Sequence, residues 1–287
     1  MATTITASFA KFRQNLEVTD PQSSTLATRQ QAVRAAIEKD FSVLKSFLTG
    51  SYRRSTMIAP LKEADVDVFV VLDPTYYKAD GHAALLDKVR ATLLKTYTKT
   101  PKISRNGHAV TITFTDFVVD VVPAFNRQGG GYLIPDSGGK RWISTDPTVH
   151  VTLMSKQNSA HSGDLVPVVK MVKRWNRETS RSFRSFYLEL IAIEIFHNVT
   201  MSNDPSAVRY FFEHARSRVK TKAVDPAGFG DQINGLASAS SVDVAIKRVE
   251  LAYGRAVKAE QFASAGKIGD AVAEWQKIFG SYFPSYG

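Results

Sequence analysis

Two aspartates separated by a single residue, Asp65 and Asp67, stand at the head of the apolar run ADVDVFVVL. Side chains alternate along a strand, so both carboxylates leave the same face and can share a metal ion. Pairs of oxygen-liking cations roughly 3.5–4 Å apart, clamped by carboxylates, serve in-line displacement at phosphorus. Such a site needs a third carboxylate from a neighbouring strand. TDFVVDVVPAF supplies Asp120 between Val119 and Val121, where an ionised aspartate is costly unless it is paired or bound to metal. Asp116 is the rival third ligand if that strand starts earlier. The segment GSYRRST precedes the acidic run; its Gly50 lets a phosphate approach the backbone, and the Ser51 hydroxyl with nearby amides can hold a triphosphate. Arg54 joins this nucleotide-binding set, although Arg53 and Arg54 also read as solvated charges.

These residues need strands and a turn to hold them. Residues 66–72 read as a strand, 110–115 alternate apolar residues with threonine as a half-buried strand does, and 117–122 read as another. Val33, Ile37, Phe41, Leu44 and Leu48 recur at helical steps, which predicts a helix ended by Gly50. Leu85 to Tyr97 predict a second helix, closed by Pro101. The glycine-rich stretch 126–140 reads as loop or hairpin, and 235–241 as a local loop. From Leu165 onward the periodicity is helical. One helix, LVPVVKMVKRWNR, places Lys170, Lys173, Arg174 and Arg177 in a cationic stripe opposite Leu165, Val169 and Val172, where it can meet phosphate or simply face solvent. A division at 1–155 and 156–287 follows, with the packing of the first residues left open.

Composition narrows the chemistry. With 287 residues, 44% hydrophobic and 22% charged, the chain can bury a core without staples. No cysteine is present, which removes disulfides, thiolate zinc and cysteine nucleophiles. The six histidines lack H-E-x-x-H spacing, and neither G-x-x-x-x-G-K-S/T nor G-x-S-x-G occurs. A net charge of +10, from 37 Lys and Arg against 27 Asp and Glu, favours polyanionic ligands without choosing among them. No signal peptide or membrane span is legible, so a cytoplasmic protein with no membrane partner is expected.

The order GS, then DVD on a strand, then VDVVP resembles the DNA polymerase beta superfamily of nucleotidyltransferases. YLIPDSGGKRWISTDP, LVPVVKMVKRWNR and RSFYLEL extend the likeness to the bacterial CD-NTases of CBASS antiphage defence, relatives of cyclic GMP-AMP synthase and oligoadenylate synthase. The likeness covers roughly residues 30 to 200. It implies an α+β fold: a polymerase-beta-like core with a mixed sheet and an N-terminal spine helix, plus a C-terminal helical domain, bilobed around a cleft. It implies that Asp65, Asp67 and Asp120 bind two Mg2+ ions, with Mn2+ as a substitute, and that Gly50 and Ser51 hold the donor phosphates. Lys173, or failing it Lys170, matches the family's triphosphate-binding lysine. Ser185 matches a donor-phosphate contact, and Phe186 a residue stacked on the base or packed in the core.

The resemblance implies a cyclic oligonucleotide synthase that joins nucleoside triphosphates, ATP or GTP, into a cyclic di- or trinucleotide with loss of pyrophosphate. Nucleic acid is not required. Relatives conjugated through the C-terminus imply a conjugation or regulatory partner at Gly287. Two alternatives stay open: a nucleotidyltransferase acting on RNA ends, a protein or an antibiotic, and a binding module without catalysis, which would not need the acidic triad.

Overall fold

The computed structural model describes residues 3–100, 102–230, 232–237 and 241–287. Two compact units emerge, one formed by residues 18–152 and the other by residues 1–17 with 153–287. The first residues therefore pack with the helical half, a point that periodicity left open. The change of unit falls at Thr152 and Leu153, a few residues before the boundary expected at 155.

Elements are numbered from the N-terminus: α1 (Ile5–Leu16) belongs to the other unit, and the 18–152 unit begins with α2 (Asp20–Ile37), β1 (Val43–Leu48), α3 (Gly50–Arg53), β2 (Asp65–Leu72) and α4 (His82–Thr96). There follow β3 (Lys102–Asn106), β4 (Ala109–Thr113), β5 (Val118–Asn126), β6 (Tyr132–Asp136) and β7 (Arg141–Thr145). These strands form one mixed sheet in the order β1-β2-β5-β4-β3, with β6 joining β5 to β7. Only β2 and β5 run parallel among the named pairs. The parallel pair needs a long crossover, which α4 and the β3–β4 hairpin provide.

The alternation of β2 splits its side chains between two environments. Val66, Val68, Val70 and Leu72 enter a large core with Val33, Ile37, Leu86, Val89 and Leu93 from α2 and α4. Phe69 and Val71 enter a smaller cluster with Val122, Ala124, Tyr132 and Ile134. Asp65 and Asp67 fall on the side of this smaller cluster.

The helix expected from Val33 to Gly50 is corrected. It ends at Ile37, and Val43–Leu48 form a strand paired antiparallel with β2. Phe41, Leu44 and Leu48 continue the helical spacing by coincidence; pairing with β2 overrides that local pattern. Gly50 consequently opens a one-turn helix instead of closing a long one. The strands near 66–72, 110–115 and 117–122, and the helix near 85–97, stand as expected. Pro101 lies outside the described residues, as do residues 238–240 of the loop expected at 235–241. The glycine-rich stretch resolves into the β6–β7 hairpin and the turn before it.

The other unit gathers α1 with α5 (Pro147–Ala160), within which the units change, and with α6 (Leu165–Glu178), α7 (Ser185–Ile195), α8 (Asp204–Arg218), α9 (Val242–Ser264) and α10 (Ile268–Phe279). Phe9 and Phe12 of α1 sit edge-on or tilted against Trp275, Phe279 and Phe283 at centroid distances of 4.6–6.4 Å. Among the described residues no helix is long and apolar enough to cross a membrane.

Candidate active site

The parallel register of β2 and β5 sets Asp67 directly opposite Asp120, and Asp65 opposite Val118. All three acidic residues therefore occupy one end of one sheet face, with Asp65 and Asp67 two positions apart. Asp65 is exposed, while Asp67 and Asp120 are partly buried. On its other side Asp120 lies opposite Thr111 of β4, whose hydroxyl donates a hydrogen bond to its carboxylate.

Burial pushes the Asp120 carboxyl above the ordinary aspartate range; the Thr111 hydrogen bond opposes this rise and the charge of Asp65 adds to it. Negative charge is thus concentrated where burial makes it costly. A hard cation would offset that charge, and three carboxylates are the oxygen donors such an ion prefers. The donor set fits divalent metal in its chemistry. Among the described residues no three acidic or imidazole groups form a ready-made ligand cluster. Strand register aligns the three aspartates, and their mutual repulsion is what a cation must overcome to draw them in.

Gly50 makes the closest approach to this acidic edge. Its φ is +62°, and a Cβ placed there would lie 1.7 Å from Asp67 Oδ2. Both the backbone conformation and the space beside the carboxylate exclude a side chain. The Thr49 amide donates to the Asp67 carbonyl at 2.9 Å, which continues the β1–β2 pairing up to the turn. The Ser51 carbonyl then accepts from the Thr56 and Met57 amides at 2.9 and 3.1 Å, and the Gly50 carbonyl accepts from the Arg54 amide at 3.3 Å. Gly50, Ser51 and Arg54 thus share one tightly bonded turn against Asp67.

Asp116, the rival third carboxylate, precedes β5 and forms an ion pair with Arg29 at 3.0 Å. Asp120 is the residue that strand pairing brings to Asp67.

The remaining expected residues belong to the helical unit. Of the α6 cations, Lys170, Lys173 and Arg174 are buried and Arg177 is half-buried, so the stripe is not a merely solvated face. Lys170 donates to both carboxylate oxygens of Glu17 at 2.8 and 2.6 Å. Lys173 pairs at 3.1 Å with Glu189, which is wholly buried. The Arg174 guanidinium pairs with Glu178 and lies 4.0 Å from the Tyr282 ring centroid. Buried charge survives by pairing: Lys170 finds its partner just past α1, Lys173 on α7, and Arg174 within α6 itself. Ser185 is exposed at the first position of α7, and Phe186 beside it is half-buried, so its ring is not sunk in the core.

Sequence reasoning missed Thr111, Glu17 and Glu189. Thr111 was legible as a polar position of an alternating strand, but its contact with Asp120 depends on the order of strands in the sheet. Glu17 and Glu189 carry no spacing signal, because their partners lie far along the chain.

A family described as the Second Messenger Oligonucleotide or Dinucleotide Synthetase domain matches residues 3–158. A probable cyclic nucleotide synthase from Bacillus cereus (strain VD146) is 26% identical over 277 residues, covering 83% of this chain and 81% of that protein. A cyclic AMP-AMP-AMP synthase from Acinetobacter sp. (strain ATCC 27244 / 9458) is 27% identical over 279 residues, covering 91% and 79%. The solved structure of E. coli MS115-1 CdnC with ATP shares this fold at a TM-score of 0.79 and 21% identity, covering 98% of this chain and 99% of that one.

Proposed function

From the premise that the chain belongs to the Second Messenger Oligonucleotide or Dinucleotide Synthetase family, we propose that it joins nucleoside triphosphates into a cyclic di- or trinucleotide, with release of pyrophosphate, in antiphage signalling. The observation that carries this reading is the pairing of Asp67 with Asp120 across parallel strands, with Gly50 packed against Asp67. The names of its relatives, cyclic nucleotide and cyclic AMP-AMP-AMP synthases, support it.

In this reading Asp65, Asp67 and Asp120 hold two magnesium ions, with manganese as a substitute. The ions, when bound, supply charge neutralisation on the phosphates and acidify the attacking ribose hydroxyl. The protein's own groups do the rest. The Gly50–Ser51 turn grips the donor phosphates, and Arg54 adds positive charge beside them. Asp120 accepts the proton of the acceptor hydroxyl, whose oxygen forms the new bond to the α-phosphorus as the bond to the pyrophosphate oxygen breaks. Repetition of that transfer within one chain of nucleotides closes the ring.

Ser185 and Phe186 complete the proposed nucleotide set, Ser185 on the donor phosphates and Phe186 stacked on a base. Lys170 and Lys173 join it only by exchanging their carboxylate partners for phosphate. ATP and GTP are the proposed substrates. A regulatory or conjugating partner at the C-terminal segment belongs to the same reading; mass spectrometry after co-expression with the neighbouring genes checks for added mass on the peptide ending in Gly287.

The test supplies the purified protein with labelled nucleoside triphosphates and magnesium, and no other acceptor. A phosphatase-resistant product that disappears in Asp67→Asn is the expected outcome. Label transferred only to added RNA or protein would replace this reading with the end-modifying alternative, which the net charge of +10 would suit. Undiminished turnover in Asp67→Asn would remove the acidic site from the chemistry altogether.

A further inference from the structure

The free edge of β1 opens onto a groove of about 590 Å³ that the proposed reaction does not use. Ser46, Phe47 and Leu48 of β1 line it, together with Tyr52 and Arg53 of α3 and Tyr132 of β6. None of Asp65, Asp67, Asp120, Gly50 or Ser51 lines it, and neither does any other carboxylate.

Its charged groups are both cationic. Lys45 donates to the Tyr132 hydroxyl, and its ammonium lies 4.9 Å from the Tyr132 ring and 5.3 Å from that of Phe47. Arg53 is exposed, and among the described residues no hydrogen bond or ion pair engages its guanidinium. Two cations in a groove with aromatic walls, Lys45 over two of the rings, with no acid to neutralise them, suit an anion that carries a flat ring. The volume falls in the range of small-ligand sites, roughly 300–1,000 Å³.

An open strand edge could instead accept an added peptide strand. Two features oppose this: the β1–β2 pairing is irregular between Val43 and Lys45, and Lys45 itself sits on the edge. Bulges and lysines are devices that keep edges from pairing.

We propose that this groove is a second binding site, for a nucleoside phosphate, with the phosphate on Arg53 and Lys45 and the base against Tyr132 and Tyr52. The site is independent of the acidic edge and therefore needs no divalent metal. Its ligand touches α3, the same short helix that begins with Gly50 and Ser51, so its occupancy is placed to influence the proposed donor turn.

Calorimetric titration of the full chain with AMP in EDTA tests this. One AMP is expected to bind, with inorganic phosphate and adenosine each weaker. Arg53→Glu should weaken AMP about tenfold or more, as loss of a charged hydrogen bond does, while Arg53→Lys and Ser51→Ala bind nearly as the parent does. Arg53 has an exposed side chain, so the charge reversal leaves the fold intact, and Lys45→Met gives a second reading. Several outcomes overturn the proposal: no binding in EDTA, equal affinity for phosphate and AMP, AMP affinity unchanged in both Arg53→Glu and Lys45→Met, displacement of AMP by an acidic peptide that binds more tightly, or loss of AMP binding in Ser51→Ala, which would put AMP on the donor turn.

Discussion

Gly50 is the residue whose replacement the geometry judges most severely. Alanine at this position would need a left-handed backbone and would drive its methyl group into the Asp67 carboxylate. Gly50→Ala is therefore expected to displace Asp67 and to reduce turnover by about a hundredfold or more, the scale of a misplaced reacting group. Steady-state assays on a variant with retained circular dichroism check this; near-parental turnover would mean that the turn has room the structure does not give it. Asp120 yields a prediction of opposite sign for stability. Its carboxyl is raised by burial first, against the Thr111 hydrogen bond, with Asp65 adding to the rise. A raised acid stabilises the fold fully below the unfolded-state pKa, and that contribution is lost as pH climbs through the folded-state value. At neutral pH the metal-free protein carries the cost of the ionised form. Asp120→Asn, which can still accept from Thr111, should therefore raise the metal-free Tm by a few degrees at pH 7, with the gain shrinking in acid. Magnesium should then stabilise the parent more than the variant. Differential scanning calorimetry across pH, with EDTA or magnesium, reads both signs.

At the scale of elements, the buried Lys173–Glu189 pair ties α6 to α7. Removing one charge leaves its partner buried, so Glu189→Leu should cost about 3–5 kcal/mol. The double change Lys173→Met with Glu189→Leu should recover most of that loss, because an apolar pair of similar volume avoids the desolvation of both ions. Urea unfolding of the single and double variants decides the matter, and a double variant no better than Glu189→Leu would deny the pair its structural role. The same elements show what the sequence could and could not convey. Asp65 and Asp67 were legible because a two-residue period is a local property of a strand, and Asp120 because an isolated acid in an apolar run is conspicuous. β1 was not legible, since Phe41, Leu44 and Leu48 continued the helical rhythm of α2 and only the pairing with β2 decides their conformation. The α6 cations were legible as a stripe, but their burial was not, because Glu17 and Glu189 reach them through tertiary packing.

For the whole molecule, the instructive point is that one compact unit is assembled from both ends of the chain. Periodicity cannot reveal this, since α1 is an ordinary amphipathic helix whose aromatic partners lie more than 250 residues away. Its Phe9 and Phe12 are almost completely buried and meet Trp275, Phe279 and Phe283, which are buried as well. Arg13 adds ion pairs to Asp164 and Asp204 in the same unit. A helix held by two phenylalanines in an aromatic cluster is an integral part of that unit's core, so its loss cannot act as the trimming of a loose end. Phe12→Ala is expected to cost about 3–5 kcal/mol, the usual range for deleting a buried ring, whereas Arg13→Ala, which breaks partly exposed ion pairs, should cost far less. Chemical denaturation of the two variants ranks them. If Phe12→Ala proves no more damaging than Arg13→Ala, the aromatic packing of α1 is not what joins the chain's two ends.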